Sequence, residues 1–402
     1  DKKNIDFLNK VYAIQSQSNP LHVDLFPSAA KFESEIVAMT ASMLSAEKNS
    51  NCCGTVTSGG TESILLAMKT YRDWAYKEKN IRNPEIIVPD TAHAAFDKAG
   101  EYFNIRVRRI PVNAEYKADV IKIKKAICSR TIAVIASAIT FPHGVIDPIE
   151  EIGILAKKFN LGFHVDACLG GFILPWAEKL GYDIPKFDFR LPAVTSISID
   201  THKYGYAAKG TSVILYHSEK LRRYQYFTAT EWPGGLYLSP TFAGSRPGAL
   251  SAACWAAMVS MGEEGYIKIA KNILQAGEHI KKGIEKIDDL YILGDPLWVI
   301  AFSSKTLNIY RILDFMSKRN WNLNGLHKPE SIHICITMRH TKDSVVDNFL
   351  SDLNEAVKYV KNNPDIEEGM APVYGMAATL PLRSVVSDLL KSYLDIYYKV
   401  KK

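Results

Sequence analysis

The stretch Ile197-Ser-Ile-Asp-Thr-His-Lys-Tyr-Gly-Tyr-Ala-Ala-Lys-Gly210 places a lysine directly after a β-rich run. Lys203 is therefore a candidate reactive amine at the end of a predicted strand. An amine becomes a nucleophile near neutral pH when burial or neighbouring cations lower its pKa. Because His202 and Lys209 are close in sequence, we expect them to lower the pKa of Lys203. The chemistry that uses such an amine is Schiff-base chemistry.

Apolar strands alternate with helices on the N-terminal side of this stretch. Strands are predicted over residues 85–89, 106–112, 131–137, 161–166, 194–199 and 211–215, and helices over residues 29–45, 118–127 and 149–159. This alternation is typical of an α/β fold in which helices cover both faces of a mainly parallel sheet. Ligands of such sheets bind where the strands end, so the sequence predicts a binding site at the carboxyl edge.

The composition indicates a soluble globular protein large enough for two or three domains. The chain has 402 residues, of which 47% are hydrophobic and 23% charged. The net charge is +6, and the Lys and Arg residues are dispersed among acidic residues, so we expect no nucleic-acid partner. The excess of positive charge is compatible with an anionic substrate. The six cysteines show no CxxC spacing and are predicted to be reduced thiols, with no metal site.

The sequence contains no apolar run close to the roughly 20 residues that cross a bilayer, and no signal-peptide pattern. We therefore expect a cytosolic or cytosol-facing protein. A membrane anchor upstream of Asp1 stays open.

Three segments are predicted from these patterns. Residues 1–50 form an irregular segment followed by a helix, an arm that would contact a partner subunit and the active site. Residues 51–288 form the large domain, which closes with helices over residues 249–261 and 267–287. Residues 289–402 form a smaller C-terminal domain, with strands over residues 297–302 and 332–337 and helices over residues 308–318, 345–360 and 382–398.

The run Gly54-Thr-Val-Thr-Ser-Gly-Gly-Thr-Glu-Ser63 leads into an apolar-periodic helix. Small residues at a helix N-terminus can bind an anion such as phosphate, because free N–H groups and the helix dipole point at the ligand. A helix cap made by Ser58 or Thr61 explains the same residues, and both interpretations stay open. The run matches neither the Walker nor the Rossmann spacing.

Other candidate residues follow strands or lie in turns. Asp166 ends a predicted strand, where its carboxylate could bind a metal, a ribose or a protonated ring nitrogen. His93 follows another strand and could stack on a planar cofactor. His22 lies in the turn Asn19-Pro-Leu-His22, and Arg246 lies in a glycine-rich loop of the kind that binds anions.

Together these segments resemble the fold-type I enzymes that use pyridoxal 5′-phosphate (PLP), and among them the sphingosine-1-phosphate lyases, along nearly the whole chain. The blocks that carry the resemblance are NPLH at 19–22, SGGTES at 58–63, FPHGVID at 141–147, HVDACLGG at 164–171, DTHKYGY at 200–206 and AGSRPG at 243–248. HVDA and HK alone also fit the related amino-acid decarboxylases, whereas the longer blocks favour the lyases.

The resemblance implies roles for the cofactor-binding residues. Lys203 would form the Schiff base with PLP, and Asp166 would hold the pyridinium nitrogen protonated. His93 would stack on the ring, with Cys168 near its other face. The cradle for the cofactor phosphate would consist of Ser58, Gly59, Gly60, Thr61 and His202. Gly244 and Ser245 would reach that phosphate from a second subunit, so a homodimer with active sites at the interface is expected.

The resemblance also implies the substrate and the reaction. A phosphorylated sphingoid base would undergo retro-aldol cleavage to a long-chain aldehyde and phosphoethanolamine, with membrane contact only to reach the lipid. The substrate phosphate would bind His22, Lys209 and Arg246, and the residues expected to transfer protons or position the substrate are Tyr204, Tyr206 and Tyr237. Ala208 departs from the family pattern, which usually has proline there, and this puts phosphate affinity in question.

Two alternatives stay open beside a sphingosine-1-phosphate lyase. A PLP-dependent decarboxylase of the same fold would need a cation for a substrate carboxylate in place of a phosphate site. A catalytically silent PLP-binding protein is disfavoured by the intact set of Lys203, Asp166 and His93. A bacterial effector that acts inside a host cell is the alternative to a housekeeping enzyme.

Overall fold

The computed structural model describes residues 2–46, 51–364 and 383–400. The chain divides into two compact units, residues 1–274 (unit one) and residues 275–402 (unit two). The division into an arm, a large domain ending at residue 288 and a small domain stays a prediction.

Unit one is built on a seven-stranded sheet in the order β1-β7-β6-β5-β4-β2-β3. The strands are β1 (Cys53–Thr57), β2 (Glu85–Pro89), β3 (Arg106–Ile110), β4 (Thr131–Ser137), β5 (Gly162–Asp166), β6 (Ser196–Ile199) and β7 (Ser212–Tyr216). β7 pairs antiparallel with both its neighbours, and all the other pairs are parallel. The predicted mainly parallel sheet is confirmed, while the direction of β7 was not anticipated.

Helices surround this sheet. They are α1 (Lys2–Ile14), α2 (Pro27–Met43), α3 (Gly60–Lys79), α4 (Ala95–Phe103), α5 (Val120–Ala126), α6 (Ile149–Lys158), α7 (Leu174–Lys179) and α8 (Glu219–Arg222), followed by a 3₁₀ turn (Arg223–Gln225) and the hairpin of β8 (Phe227–Ala229) and β9 (Tyr237–Ser239). The expectation of an irregular N-terminal segment is wrong for α1. This helix buries Leu8 alone among its residues, so little of its surface packs against the rest of the chain.

α9 (Gly248–Ile284) replaces the two helices predicted over residues 249–261 and 267–287. Its backbone leaves helical geometry at Gly262, where φ is +60°. Glycine adopts this left-handed conformation without the steric cost that a Cβ would impose. Both predicted helical segments are thus present, and a kink at Gly262 joins them.

The central strands position the functional edge of unit one. β4 and β5 are buried along their whole length, which explains their nearly continuous apolar sequences. A core packed between α3, α4 and the sheet includes Met68, Tyr71 and Phe96. The strand ends are therefore fixed by packing on both faces of the sheet.

Unit two contains a four-stranded antiparallel sheet in the order β10-β11-β13-β12. Its elements are β10 (Tyr291–Ile292), β11 (Val299–Ser303), α10 (Ile309–Lys318), β12 (Asn324–Leu326), β13 (Ser331–Cys335), α11 (Val345–Asn362) and α12 (Arg383–Tyr398). This agrees with the predicted smaller α+β domain. Leu382, the predicted first residue of the last helix, lies outside the described residues.

Candidate active site

A cavity of about 410 Å³ lies at the carboxyl edge of the central sheet in unit one. The ends of β4 and β5, the turn after β6 and the first turn of α3 all contribute to its wall. The sequence-predicted residues that line it are Ser58, Gly59, Gly60, Thr61, His93, Asp166, Cys168, His202 and Lys203. Residues far apart in the chain meet there because parallel strands end at one edge.

Lys203 faces a carboxylate that the sequence analysis did not select. Its Nζ lies 2.9 Å from Oδ2 of Asp200, whose side chain is 2% exposed. Burial works to lower the pKa of Lys203, but the negative charges of Asp200 and Asp166 outweigh it and raise that pKa. The expectation that neighbouring cations lower the pKa of Lys203 is therefore wrong, because nearby carboxylates stabilise the ammonium form.

His202 does not act as a cation beside Lys203. Burial is the main cause that lowers the pKa of His202, with Lys209 and Lys203 acting in the same direction against Asp200. The Nδ1 atom of His202 accepts a hydrogen bond from the Thr211 backbone N–H at 3.2 Å, and its Nε2 is 3.6 Å from Asp200 Oδ2. A neutral imidazole with its proton on Nε2 fits both contacts.

Asp166 is held at the end of β5 by two donors. Its Oδ1 accepts hydrogen bonds from the Cys168 backbone N–H at 3.0 Å and from the Ser198 hydroxyl at 3.3 Å. Burial, with the negative charges of Asp166 and Asp200, raises the pKa of the Cys168 thiol well above its ordinary value. Cys168 is thus a neutral thiol, and the carboxylates that line the cavity are those of Asp166, Asp200 and Glu62.

His93 presents an exposed imidazole at the cavity wall. Its Nδ1 accepts a hydrogen bond from the Ala95 backbone N–H at 3.1 Å, which fixes the ring just before α4. The ring is free to lie against a flat ligand inside the cavity. Its predicted stacking role stays a prediction.

The first turn of α3 is shaped for close approach of a ligand. Gly59 is the N-cap residue, and no side chain makes a cap hydrogen bond there, so capping by Ser58 or Thr61 is wrong. The Glu62 carboxylate instead accepts a hydrogen bond from the Ser58 backbone N–H at 2.6 Å. A Cβ added at Gly60 would lie 2.7 Å from Asp200 Oδ1 and 2.9 Å from Cys168 Sγ. Only glycine fits this position without displacing the cavity wall.

A second group of predicted residues gathers around the N-terminal turn and does not line this cavity. The Asn19 side-chain amide donates to the Ser245 hydroxyl at 3.0 Å, and Asn19 Oδ1 accepts from the Arg246 backbone N–H at 3.3 Å. A Cβ at Gly244 would lie 3.0 Å from the Tyr237 hydroxyl. His22 is exposed in the same turn. Within one chain the predicted site is thus divided into two groups.

The guanidinium of Arg246 already has a partner in its own chain. It forms a bidentate ion pair with Glu33 of α2, with one nitrogen to oxygen distance of 2.8 Å. Lys209 is exposed and donates to the His202 carbonyl oxygen at 2.7 Å. The predicted contacts of Arg246 and Lys209 with a substrate phosphate stay predictions.

Tyr204 and Tyr206 follow Lys203 in the turn but are not among the residues that line the cavity. Tyr204 is buried, and Tyr206 adopts a left-handed backbone conformation with φ of +58°. Their predicted part in proton transfer stays a prediction.

Sequence reasoning missed Asp200, Ser198 and His164. Asp200 directly follows β6 and precedes Lys203 by three residues, a spacing that could have indicated the ion pair. His164 and Ser198 occupy buried strand positions, where a polar residue signals a hydrogen-bonded partner. That partner lies on a neighbouring strand, so the linear sequence does not identify it.

The cavity residues fit PLP as a cofactor. Among the described residues, Oδ1 of buried Asp200 has no hydrogen-bond partner, so the cavity retains an unused acceptor beside the Lys203 amine. The groups available to bind PLP are a primary amine at Lys203, a carboxylate at Asp166 and a helix N-terminus that suits a phosphate. A volume of about 410 Å³ is in the range of small-molecule sites.

Comparison with known proteins places this site in context. Residues 7–305 match the family model of the pyridoxal-dependent decarboxylase conserved domain. The chain is 50% identical to a sphingosine-1-phosphate lyase of Arabidopsis thaliana over 97% of its own length and 72% of the relative's. It is 51% identical to the lyase of Dictyostelium discoideum, covering 98% of this chain and 74% of that one.

Solved structures show the same likeness. The sphingosine-1-phosphate lyase of Burkholderia pseudomallei superposes with a TM-score of 0.93 at 39% identity, covering 100% of this chain and 88% of that one. The glutamate decarboxylase of Lactobacillus brevis superposes with a TM-score of 0.78 at 20% identity, covering 90% of this chain and 86% of that one, which shows a shared fold alone.

Proposed function

The chain belongs to the sphingosine-1-phosphate lyase family, and from that premise we propose how its residues carry out the cleavage of sphingosine 1-phosphate. It is a PLP-dependent carbon–carbon lyase, and its products are a long-chain aldehyde and phosphoethanolamine. The observation that carries the proposal is the meeting of Lys203, Asp166 and the first turn of α3 in one cavity.

The reaction breaks the bond between the amine-bearing carbon and the hydroxyl-bearing carbon of the substrate. The hydroxyl loses its proton and becomes the aldehyde carbonyl, while the amine-bearing carbon gains a proton and leaves as phosphoethanolamine. When bound, PLP supplies an aldehyde that takes up amines and a cationic ring that withdraws the electron pair released by the bond.

Asp166 stabilises the positive charge on the cofactor ring. Its carboxylate is buried and directed by two donors at the end of β5. An opposite charge within about 4 to 6 Å favours the protonated form of a nitrogen base. The carboxylate would thus favour the cationic form of the ring when the cofactor is bound.

Lys203 is the amine that holds the cofactor, and Asp200 controls its proton. The Lys203 amine lies 2.9 Å from Asp200 Oδ2, so the two would pair whenever the amine is not bound to the cofactor. The pair would keep this amine as an ammonium ion inside the cavity. A proton held at Nζ would then be available for donation to the amine-bearing carbon.

The substrate phosphate is assigned to His22, Lys209 and Arg246. Lys209 is anchored by the His202 carbonyl, and the preceding Ala208 carbonyl accepts a hydrogen bond from the Thr211 hydroxyl at 3.1 Å. This bond constrains the loop where the family usually has proline. The question raised by Ala208 therefore concerns phosphate affinity and not the type of reaction.

A homodimer completes the site. Gly244 and Ser245 are assigned to the cofactor phosphate, yet in their own chain they contact the N-terminal turn and lie outside the cavity lining. In a twofold dimer the same surface patch of each subunit faces its partner, so each loop can complete the other subunit's cavity. Tyr237 would enter the neighbouring site with that loop.

We expect mixed dimers of two inactive variants to recover activity. Ser245→Asp places a negative charge against the cofactor phosphate, and Lys203→Ala removes the amine. In a mixed dimer one cavity receives both native residues, so random mixing gives about a quarter of wild-type activity if each loop serves the partner's site. The measurement is aldehyde release after the two purified variants are denatured together and refolded.

The control pairs Lys203→Ala with Asp166→Asn, because both residues line the cavity of their own chain and no mixed dimer then has an intact site. Recovery in the control pair, or none in the test pair once mixed dimers are verified by mass, would contradict the shared site.

The lyase and decarboxylase alternatives differ in their products. Incubated with sphingosine 1-phosphate, the purified protein is expected to release a long-chain aldehyde and phosphoethanolamine in equal amounts, as measured by mass spectrometry. The alternative decarboxylase would release carbon dioxide from an amino acid. Carbon dioxide without any aldehyde from the phosphorylated base would overturn the assignment.

Among the helices that the structure describes, we find none with the length and hydrophobicity of a membrane-spanning segment. The cytosolic or cytosol-facing location, and membrane contact limited to capture of the lipid substrate, stay proposals.

A further inference from the structure

A continuous chain of hydrogen bonds crosses the sheet interior and ends on Asp166. The Tyr71 hydroxyl of α3 lies 2.5 Å from Ser196 Oγ, which lies 2.8 Å from His164 Nδ1. On the other side of the imidazole, Nε2 lies 3.2 Å from Ser198 Oγ, and Ser198 lies 3.3 Å from Asp166 Oδ1. The chain runs from the start of β6, at Ser196, to the carboxyl end of β5, at Asp166.

The ionised carboxylate sets the direction of every bond in this chain. Asp166 can only accept, so Ser198 donates to it and accepts from the Nε2–H of His164. The unprotonated Nδ1 of His164 then accepts from Ser196, and Ser196 accepts from Tyr71. The imidazole therefore has one defined tautomer, with its proton on Nε2.

The chain is buried and carries no charge of its own. His164, Ser196, Ser198 and Tyr71 are 0% exposed. Burial lowers the pKa of His164 to about 4, against the attraction of Asp166, and burial raises the pKa of Tyr71. The edge of the Phe96 ring packs on the imidazole at 5.9 Å between ring centroids. Among the described residues, Asp166 is the one charged group that affects the pKa of His164.

Donors aimed at a carboxylate determine where a shared proton lies. A hydrogen bond to the ionised form stabilises that form and makes the carboxylate less basic. If Ser198 is not held as a donor, Asp166 becomes more basic and draws a shared proton away from its partner. In a low-dielectric interior the hydrogen bonds of one chain polarise one another, so the loss of a remote bond can weaken the bond to Asp166.

We propose that His164 is a positioning residue which, with Ser198, keeps Asp166 ionised so that the proton stays on the cofactor ring nitrogen, and that Tyr71 completes this chain from the opposite edge of the sheet. The inference rests on the proposed function, which places the ring nitrogen at Asp166. The imidazole makes polar contacts on opposite sides, and the contact at Nε2 leads through Ser198 to Asp166.

The first measurement uses the protein without cofactor. Nitrogen NMR of ¹⁵N-histidine protein should show His164 neutral near pH 7 with the proton on Nε2. The resonance is assigned by its loss in His164→Gln. A proton on Nδ1 would reverse the direction of the chain and overturn the proposal.

The second measurement reads the ring nitrogen directly, with cofactor ¹⁵N-labelled at that position. We expect a protonated nitrogen in the wild type and a signal displaced toward the unprotonated value in His164→Phe. Tyr71→Phe should give a smaller displacement in the same direction, and His164→Gln should restore part of the shift because its amide can donate to Ser198. The rate constant kcat should fall about tenfold in His164→Phe, the effect of one hydrogen bond to a charged group.

The matched control is Tyr216→Phe. Tyr216 is equally buried, and its hydroxyl bonds Thr70 at 3.0 Å instead of the chain to Asp166. A wild-type nitrogen signal in Tyr71→Phe and His164→Phe, or an equal displacement in Tyr216→Phe, would overturn the proposal. If Asp166→Asn itself leaves the signal unchanged, the assigned role of Asp166 in the proposed function fails instead.

Discussion

Replacing Lys203 by alanine is expected to remove the visible absorption band of the purified yellow protein and to lower the rate of sphingosine 1-phosphate cleavage by ~10³-fold or more. The variant loses both the covalent attachment of the cofactor and the proton that the pair with Asp200 holds at Nζ. Absorption spectra and single-turnover aldehyde release, each with added PLP, measure the two losses.

The control for this variant is Lys98→Ala, which removes an exposed lysine of α4 outside the cavity lining. It should keep both colour and activity. A colourless wild-type protein after saturation with PLP would contradict the cofactor assignment, and a coloured Lys203→Ala protein with normal turnover would contradict the role of this lysine.

Changing Asp166 to asparagine is expected to lower kcat by about 10²- to 10³-fold, the range for loss of one preorganised electrostatic group. The amide has the same shape and can keep the contact with the Cys168 backbone N–H, but it carries no charge to hold the ring nitrogen protonated. Affinity for the substrate should change far less, because the proposed phosphate contacts, at His22, Lys209 and Arg246, do not include Asp166. Steady-state kinetics of aldehyde release separates kcat from KM.

A stability measurement shows whether the fall in kcat comes from the chemistry or from loss of the folded protein. The thermal midpoint of Asp166→Asn should lie within a few degrees of the wild type, since one exchanged buried oxygen is worth about 1 to 3 kcal/mol. Near-wild-type kcat in a folded variant would show that the reaction does not need this carboxylate. Asp97→Asn, which removes an exposed carboxylate paired with Arg109, is the control for a charge change alone.

Local patterns were sufficient to predict most of the sheet and its helices. Strands β2 and β4 lie where they were predicted, because a buried parallel strand reads as a short continuous apolar run. The strand β1 and the short strands of the hairpin were missed, since runs of three to five residues with small or exposed side chains resemble loops. The kink at Gly262 was read as a break between helices.

The sequence by itself determined the fold class and the residue types of the site. The lysine after β6, the aspartate at the end of β5 and the glycines before α3 are each recognisable because strand ends and helix starts have local signatures. Their convergence on one edge followed from the parallel order of the strands.

Only the tertiary structure decided the electrostatics of these residues. The Asp200 carboxylate, 2.9 Å from the Lys203 amine, contributes to raising the pKa of Lys203, and this contact depends on how the turn after β6 folds. The predicted residues lie in two groups, one at the cavity and one at the N-terminal turn. Hydrogen bonds link Tyr71 to Asp166 through His164. Charges and hydrogen bonds act across a few ångströms of space, and the order of residues along the chain does not fix those distances.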